Sequence, residues 1–407
     1  MPKQAKLATE ATGPLKGIRI LDMTGVVFGA YATQMLGDLG CDVIKVEFPG
    51  GRRGGGGDIM RWSGAVPKDC PPDLGPIYMT INRNKRSVLL DLREDKAARQ
   101  LRRLIKTCDV FASSVRYDGL KRLGLDYDSV KQVRPDIVYC HGAGYGSAGP
   151  YAGEPAYDDL IQAGSGLADL LPRTDGNPEP RFMPTLLADK VSGLFMSNAI
   201  TAALFHRQKT GEGQFVEVPM LECLVSFNLV ENLFGHTFDP PTGQWSYTRS
   251  ANPNRRPFPT SDGYIGLLPY TDAQWDQFFE VAGWGDTLSK DPRFSDFRTR
   301  AAHIGELYAM VGEVTSTRTT DEWLALLKPL NIPVVRMNRL DTLFDDPHLD
   351  AVGLFERHEH PEAGPYVAMR PPVTYSATPA NIRRHPPRLG QHTDEVLAEV
   401  EAEETAE

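Results

Sequence analysis

The sequence predicts an α/β protein in which a helix-covered parallel sheet is followed by a smaller α+β unit. Strand-like and helix-like patterns alternate through the first 150 residues, and repeated β-α-β units imply a parallel sheet with right-handed crossovers, a Rossmann-like layering. A stretch rich in Pro, Asn, Thr, Arg and Gly (236–262) then breaks the pattern, as a linker or long functional loop does. Beyond it, the helix-like DAQWDQFFEVAG and TDEWLALLKPL stand in a second region. At 407 residues the chain exceeds one ordinary core, so two domains are expected.

Taken in order, residues 1–14 (MPKQAKLATEATGP) lack the apolar core of a signal peptide and read as a flexible arm. GIRILDMT (17–24) reads as the first strand and CDVIKVE (41–47) as the second, with Tyr31, Met35 and Leu39 on one stripe of the helix between them. SVLLDL (87–92) is a third strand, followed by a helix over 94–107 that buries Leu101, Leu104 and Ile105. DVFAS (109–113) and DIVYC (136–140) complete the series. A long helix is expected from near Asp189 through Phe205, ending at Gly211, then a strand at 214–218 and a helix at 221–234. The domain limits are 15–210 for the first part of the large domain, 211–262 for linker and loop, and 263–330 for the small α+β domain. Residues 331–398, proline-punctuated and closing in a helix from Thr393, form a return segment, and 399–407 an acidic, disordered tail.

A net charge of −9 argues against general nucleic-acid binding, because a phosphate backbone wants a basic face. No apolar run is long enough for a bilayer. Five dispersed cysteines without a CxxC fit neither a disulfide framework nor a zinc site and suit a reducing cytoplasm. There is no HExxH, and His358 and His360 (RHEH) stand in an exposed-looking charged stretch, so no metal site is expected.

Glycine-rich GGRRGGGG (50–57) and GAGYG (142–146) follow strands, where they read either as flexible loops or as phosphate cradles. Neither is a G-x-G-x-x-G, which counts against an NAD(P) oxidoreductase. Two basic clusters lie near strand ends: Arg83, Lys85 and Arg86, then Arg116, Lys121 and Arg122. They read as a solvated surface or as partners for a phosphorylated ligand. No GxSxG surrounds a serine, which leaves carboxylates as candidate covalent nucleophiles. AYDDLIQAGSG (156–166) and LLADKVSGL (186–194) carry them. Asp189 precedes a long apolar helix, so it reads as an N-cap, as a carboxylate kept ionised and nucleophilic by the helix terminus, or as both.

Together, LKGIRILDMTGVVFGAYATQMLGDLGCDVIKVE, NRNKRSVLLDL, LADKVSGLFMSNAITAALFHRQKTGEGQFVEVPML, TSDGYIGL with TDAQW, DDPHL and LGQHTDEVL resemble the family III CoA-transferases. That CaiB/BaiF group includes formyl-CoA transferase, carnitine CoA-transferase and the α-methylacyl-CoA racemases. The resemblance implies a Rossmann-like large domain built from both termini, a small domain between them, and an open-ring chain that forms an interlocked homodimer. It implies acyl-CoA and a small carboxylic acid as substrates, with no tightly bound cofactor. It carries the nucleophile to Asp189 and places Tyr157 and Asp158 beside it. Val26 and Val27 match a segment lining the thioester, and Arg122 with Leu123 a position near the nucleotide. Lys85 and Arg86 are CoA-phosphate candidates by charge. Two departures stand out. ANPNRRPFPTSDG replaces a run of glycines that closes over the intermediates, with Arg255 and Arg256 either meeting an acceptor carboxylate or simply solvated. Tyr157 stands where the racemases carry a His, and a phenol is a poor general base at neutral pH, so the racemase alternative is disfavoured. A non-catalytic dimeric scaffold is the remaining alternative.

Overall fold

The computed structural model describes residues 2–50, 55–285, 288 and 290–406. Gly51–Gly54 of the first glycine-rich loop lie outside them, as does Glu407 of the acidic tail. The chain divides into a large unit (1–165, 182–227 and 347–407) and a small unit (166–181 and 228–346).

In the large unit, β1 (Lys3–Gln4) precedes β2 (Arg19–Met23), α1 (Phe28–Asp38), β3 (Asp42–Glu47), β4 (Lys85–Leu89), α2 (Asp95–Lys106), β5 (Val110–Ser113) and β6 (Val138–Ala143). Then come α3 (Asp158–Gly164), α4 (Leu187–Thr210), β7 (Phe215–Pro219) and α5 (Met220–Asn232). Six strands form one sheet in the order β4-β3-β2-β5-β6-β7, every pair parallel. The chain winds outward from β2 and then restarts beside it, so the strand order reverses between β2 and β5. In such sheets ligands lie at that reversal, outside the carboxyl ends of the strands.

Core strands of this sheet read as nearly continuous apolar runs because helices cover both faces. Ile20, Leu21, Ile44, Val88, Val110 and Phe111 are fully buried. Leu101, Leu104 and Ile105 of α2 pack on this core as expected. The α1 stripe is corrected: Tyr31, Met35 and Leu39 are the half-exposed positions, while Ala30, Ala32, Thr33 and Leu36 are buried. Small side chains dominate the buried face because α1 packs closely against α4. A Cβ on Gly193 of α4 would stand 2.8 Å from the Phe28 carbonyl oxygen.

The small unit has its own core. Three antiparallel strands, β8 (Phe258–Thr260), β9 (Gly263–Leu267) and β10 (Val334–Arg336), pair in the order β10-β9-β8. Helices α6 (Asp272–Val281), α7 (Ile304–Thr315) and α8 (Thr320–Leu327) bury Trp275, Phe278, Phe279, Leu307, Val311 and Trp323 with Ile265. Pairing of β10 with β9 places 331–346 in this unit rather than in the return segment, and β7 places 215–219 in the main sheet rather than in a linker.

The return segment carries β11 (Phe355–His360), β12 (Gly364–Met369) and α9 (Thr393–Ala406). Val396 and Val400 of α9 join the core beside Leu101 and Val88. The acidic end, read as disordered, is helical instead because its carboxylates meet arginines: Glu399 and Glu403 pair with Arg86 and Arg19. Nor is the amino-terminal arm loose in this fold, since β1 pairs with β11 and the Ala8 N–H bonds the Ile382 carbonyl.

Candidate functional site

The turn after β2 lies at the strand-order reversal, and buried charges hold it from beneath. Asp22 accepts the Thr24 N–H (2.9 Å) and the hydroxyls of Thr24 (2.6 Å) and Thr33 (2.7 Å). Lys45, the cross-strand neighbour of Asp22, is almost fully buried. Its ammonium donates to the Thr24 carbonyl (2.7 Å) and pairs with Asp58 (3.0 Å). Burial would raise the Asp58 carboxyl, but Lys45 and the N–H groups of Met60 and Val26 hold it below the usual range. The Val26 N–H reaches Asp58 at 3.1 Å and the Gly25 N–H reaches Ser114, just past β5, at 3.1 Å. Val26 has φ +60°, a conformation a β-branched residue adopts only under constraint.

Helix α4 delivers Asp189 to the same end of the sheet. At its far end Arg207 pairs with Asp109 (2.8 Å) and Asp136 (2.5 Å), just before β5 and β6, so its first turn points toward the strands' carboxyl ends. Gly193, one turn after Asp189, seats α4 on the start of α1. Leu186 is the N-cap and Asp189 the third helical residue, so the capping reading is corrected. Among the described residues no group donates a hydrogen bond to the Asp189 carboxylate.

Asp189 is 6% exposed, and the charge that acts on it is another carboxylate. Asp158, first residue of α3, accepts the Asp189 N–H through Oδ1 (3.1 Å) and the Gln162 amide through Oδ2 (2.6 Å). No cation pairs with either acid among the described residues, and Lys190 donates to the Thr185 hydroxyl (2.6 Å) instead. Burial, and then Asp158, push Asp189 up to about 7. Loss of water and a neighbouring like charge therefore set this carboxylate above an ordinary value. Such a group is partly ionised at neutral pH, poorly hydrated, and unpaired: the condition of a carboxylate nucleophile.

Other expected contacts divide. Val26 and Val27 form the held turn at the carboxyl edge. Arg122 and Leu123 are exposed on a short helix (Tyr117–Leu123) after β5, at that same edge. Tyr157 is 66% exposed and precedes α3. Lys85 and Arg86 are corrected. Lys85 is fully buried, donating to Asp22 (3.1 Å) and the Ala30 carbonyl (2.9 Å). Arg86 is 3% exposed and pairs with Asp42 (2.6 Å), Glu399 (2.8 Å) and Glu395 (3.1 Å). Both begin β4, the end of the strand opposite the crevice, and their charges are already neutralised.

His358 and His360 are also corrected, being buried with Tyr366 and His385. Sequence reasoning missed Lys45, Asp58 and Gln162. A lysine inside the apolar run CDVIKVE was the available signal for the first, since such a charge is buried only with a partner.

A model of CoA-transferase family III matches residues 15–393. The succinate–glutarate CoA-transferase of Agrobacterium fabrum is 32% identical over 397 residues, 95% of this chain and 96% of that protein. The formyl-CoA:oxalate CoA-transferase of Afipia carboxidovorans is 30% identical, covering 95% and 93% of the two chains. A crystal structure of a CaiB/BaiF family protein from Brucella suis superposes with a TM-score of 0.79 at 29% identity, covering 96% of this chain and all of that one.

Proposed function

This chain belongs to CoA-transferase family III, and from that membership we propose that it moves coenzyme A from an acyl-CoA donor to a small dicarboxylic acid, with Asp189 as covalent carrier. The observation that supports the carrier role most is the buried Asp189 carboxylate beside the like charge of Asp158, with no cation paired to it among the described residues. Its oxygen attacks the thioester carbonyl of the donor, forming an acyl–aspartyl anhydride and releasing CoA thiolate. The thiolate attacks the aspartyl carbonyl, giving an aspartyl-CoA thioester and freeing the donor acid. The acceptor carboxylate attacks that thioester, forming a second anhydride and thiolate. Attack of the thiolate on the acceptor's acyl carbon yields the new acyl-CoA and restores Asp189. Each step exchanges one activated acyl group for another of similar energy, so no ATP is consumed. Water must be kept out, because it would hydrolyse the anhydride.

The dicarboxylate reading rests on relatives named for succinate, glutarate and oxalate. CoA lies over the Val26–Val27 turn, its nucleotide end toward Arg122 and Leu123. The working form is an interlocked homodimer, in keeping with Leu194, Phe195 and Phe205 exposed along α4. Succinyl-CoA offered with glutarate, oxalate or malate tests the substrate class, read by the mass of the new thioester. Transfer to none of the three, with transfer to acetate or propionate offered alongside, overturns it. Rapid deuterium wash-in at the α-carbon of a 2-methylacyl-CoA, without an acceptor, would instead favour the racemase.

A further inference from the structure

One side chain ties together the two segments that meet at Asp189, and no step above uses it. Gln162, on α3 and almost fully buried, spends every polar atom locally. Its Nε2 donates to Asp158 Oδ2 (2.6 Å) and to the Thr185 carbonyl (3.1 Å), with the Met183 carbonyl at 3.5 Å. Its Oε1 accepts the Met183 N–H (2.8 Å). The amide orientation follows from these partners. Exchanging its N and O would set an acceptor against the Asp158 carboxylate and a donor against the Met183 N–H.

Residues 183–186 lead into α4, so Gln162 grips the chain four residues before Asp189 while holding the acid whose other oxygen takes the Asp189 N–H. We propose that Gln162 is a positioning residue for the transfer reaction, locking Asp158 and the start of α4 so that the Asp189 carboxylate meets the incoming thioester. This role rests on Asp189 being the carrier. The choice of a neutral donor matters. A lysine or arginine could hold Asp158 equally well, but its charge would cancel that of Asp158 and lower the proton affinity of Asp189. An amide fixes the geometry and leaves the negative field in place. Asp159 and Lys190 are the other charged groups on α3 and on the first turn of α4. Asp159 is exposed, and the Lys190 ammonium is bonded to Thr185.

Two variants separate positioning from packing. Gln162→Leu retains bulk without polar atoms, and Gln162→Glu retains shape but donates only when protonated. Both are assayed for kcat, for KM toward succinyl-CoA across pH, and for the rate of hydroxylamine-trapped adduct at Asp189. The expected result for Leu is a kcat lower by about 10- to 100-fold, the scale of a misplaced reacting group, with KM within about twofold. For Glu, kcat is expected to recover as pH falls and the glutamic acid regains its proton, so the profile turns over instead of rising through neutrality. Unchanged kcat and trapping rates in both variants overturn the proposal. So does a uniform loss in Glu that leaves the wild-type pH profile in shape, and Glu answers this alone if Leu fails to fold. Failure to trap any adduct in the wild type sinks the carrier reading instead, which keeps the two failures apart.

Discussion

Opposite ends of one sheet are built on opposite electrostatic plans. At the amino ends of the strands three arginines are neutralised by anions: Arg86 meets Asp42 and Glu399, Arg19 meets Asp42 and Glu403, and Arg207 meets Asp109 and Asp136. At the carboxyl ends Asp158 accepts the Asp189 N–H and acts on its carboxylate, and among the described residues no cation pairs with either acid. Neutralised charge joins distant segments of the chain, α9 to β4 and α4 to β5. Charge left uncompensated costs stability and is tolerated where chemistry needs it.

The largest expected effect separates the two ends outright. Asp189→Asn keeps the shape of the side chain but removes the attacking oxygen, so turnover should fall by several orders of magnitude. Its stability should move the other way. A carboxyl raised on folding favours the native state only while protonated, and that advantage is lost as pH rises through its folded value of about 7. The asparagine loses nothing over that range. Above neutrality the variant should therefore be more stable than wild type by a few kcal/mol, at about 1.4 kcal/mol for each tenfold change in proton affinity on folding. Urea unfolding on both sides of neutrality measures this.

Next in size is the amino end. Arg86→Met removes the cation shared by Asp42, Glu395 and Glu399, of which Asp42 keeps Arg19, and these acids are partly solvated, so a loss of about 1–3 kcal/mol is expected. KM for acyl-CoA should stay within about twofold. A tenfold rise in KM with normal stability would return Arg86 to the ligand and break the contrast between the two ends.

A smaller effect tests the field at Asp189. Wild-type activity should rise with pH through about 7, as the nucleophile loses its proton. Asp158→Asn removes a like charge, so the midpoint should move toward acid by about one pH unit. A midpoint that moves upward contradicts the account. Smallest of all, Val26→Gly should leave the turn intact and change stability by less than about 1 kcal/mol, because glycine accepts a positive φ without strain. Calorimetry of that variant reads the difference.

Much of this was legible in the sequence. Apolar strand runs and the 94–107 helix pattern gave the layered sheet, and the ADKVSG segment marked the start of α4. What escaped were long-range partners. Nothing local in NRNKRS says that Arg86 will meet carboxylates more than 300 positions away, so a neutralised cluster looked like a free one. The acidic tail was misjudged for the same reason in reverse. Asp189 was legible as a position but not as an environment. Its burial, the Asp158 oxygen on its N–H and the bonds from Gln162 to Met183 and Thr185 are contacts across the chain, which no periodicity reports.

The most direct test is to incubate the wild-type protein with acyl-CoA alone, trap with hydroxylamine, and map the modified peptide by mass spectrometry. The account predicts a single hydroxamate, on Asp189 within LLADKVSG, and none in Asp189→Asn. A hydroxamate on Asp158 or Asp159, or turnover with no trapped adduct, would contradict it.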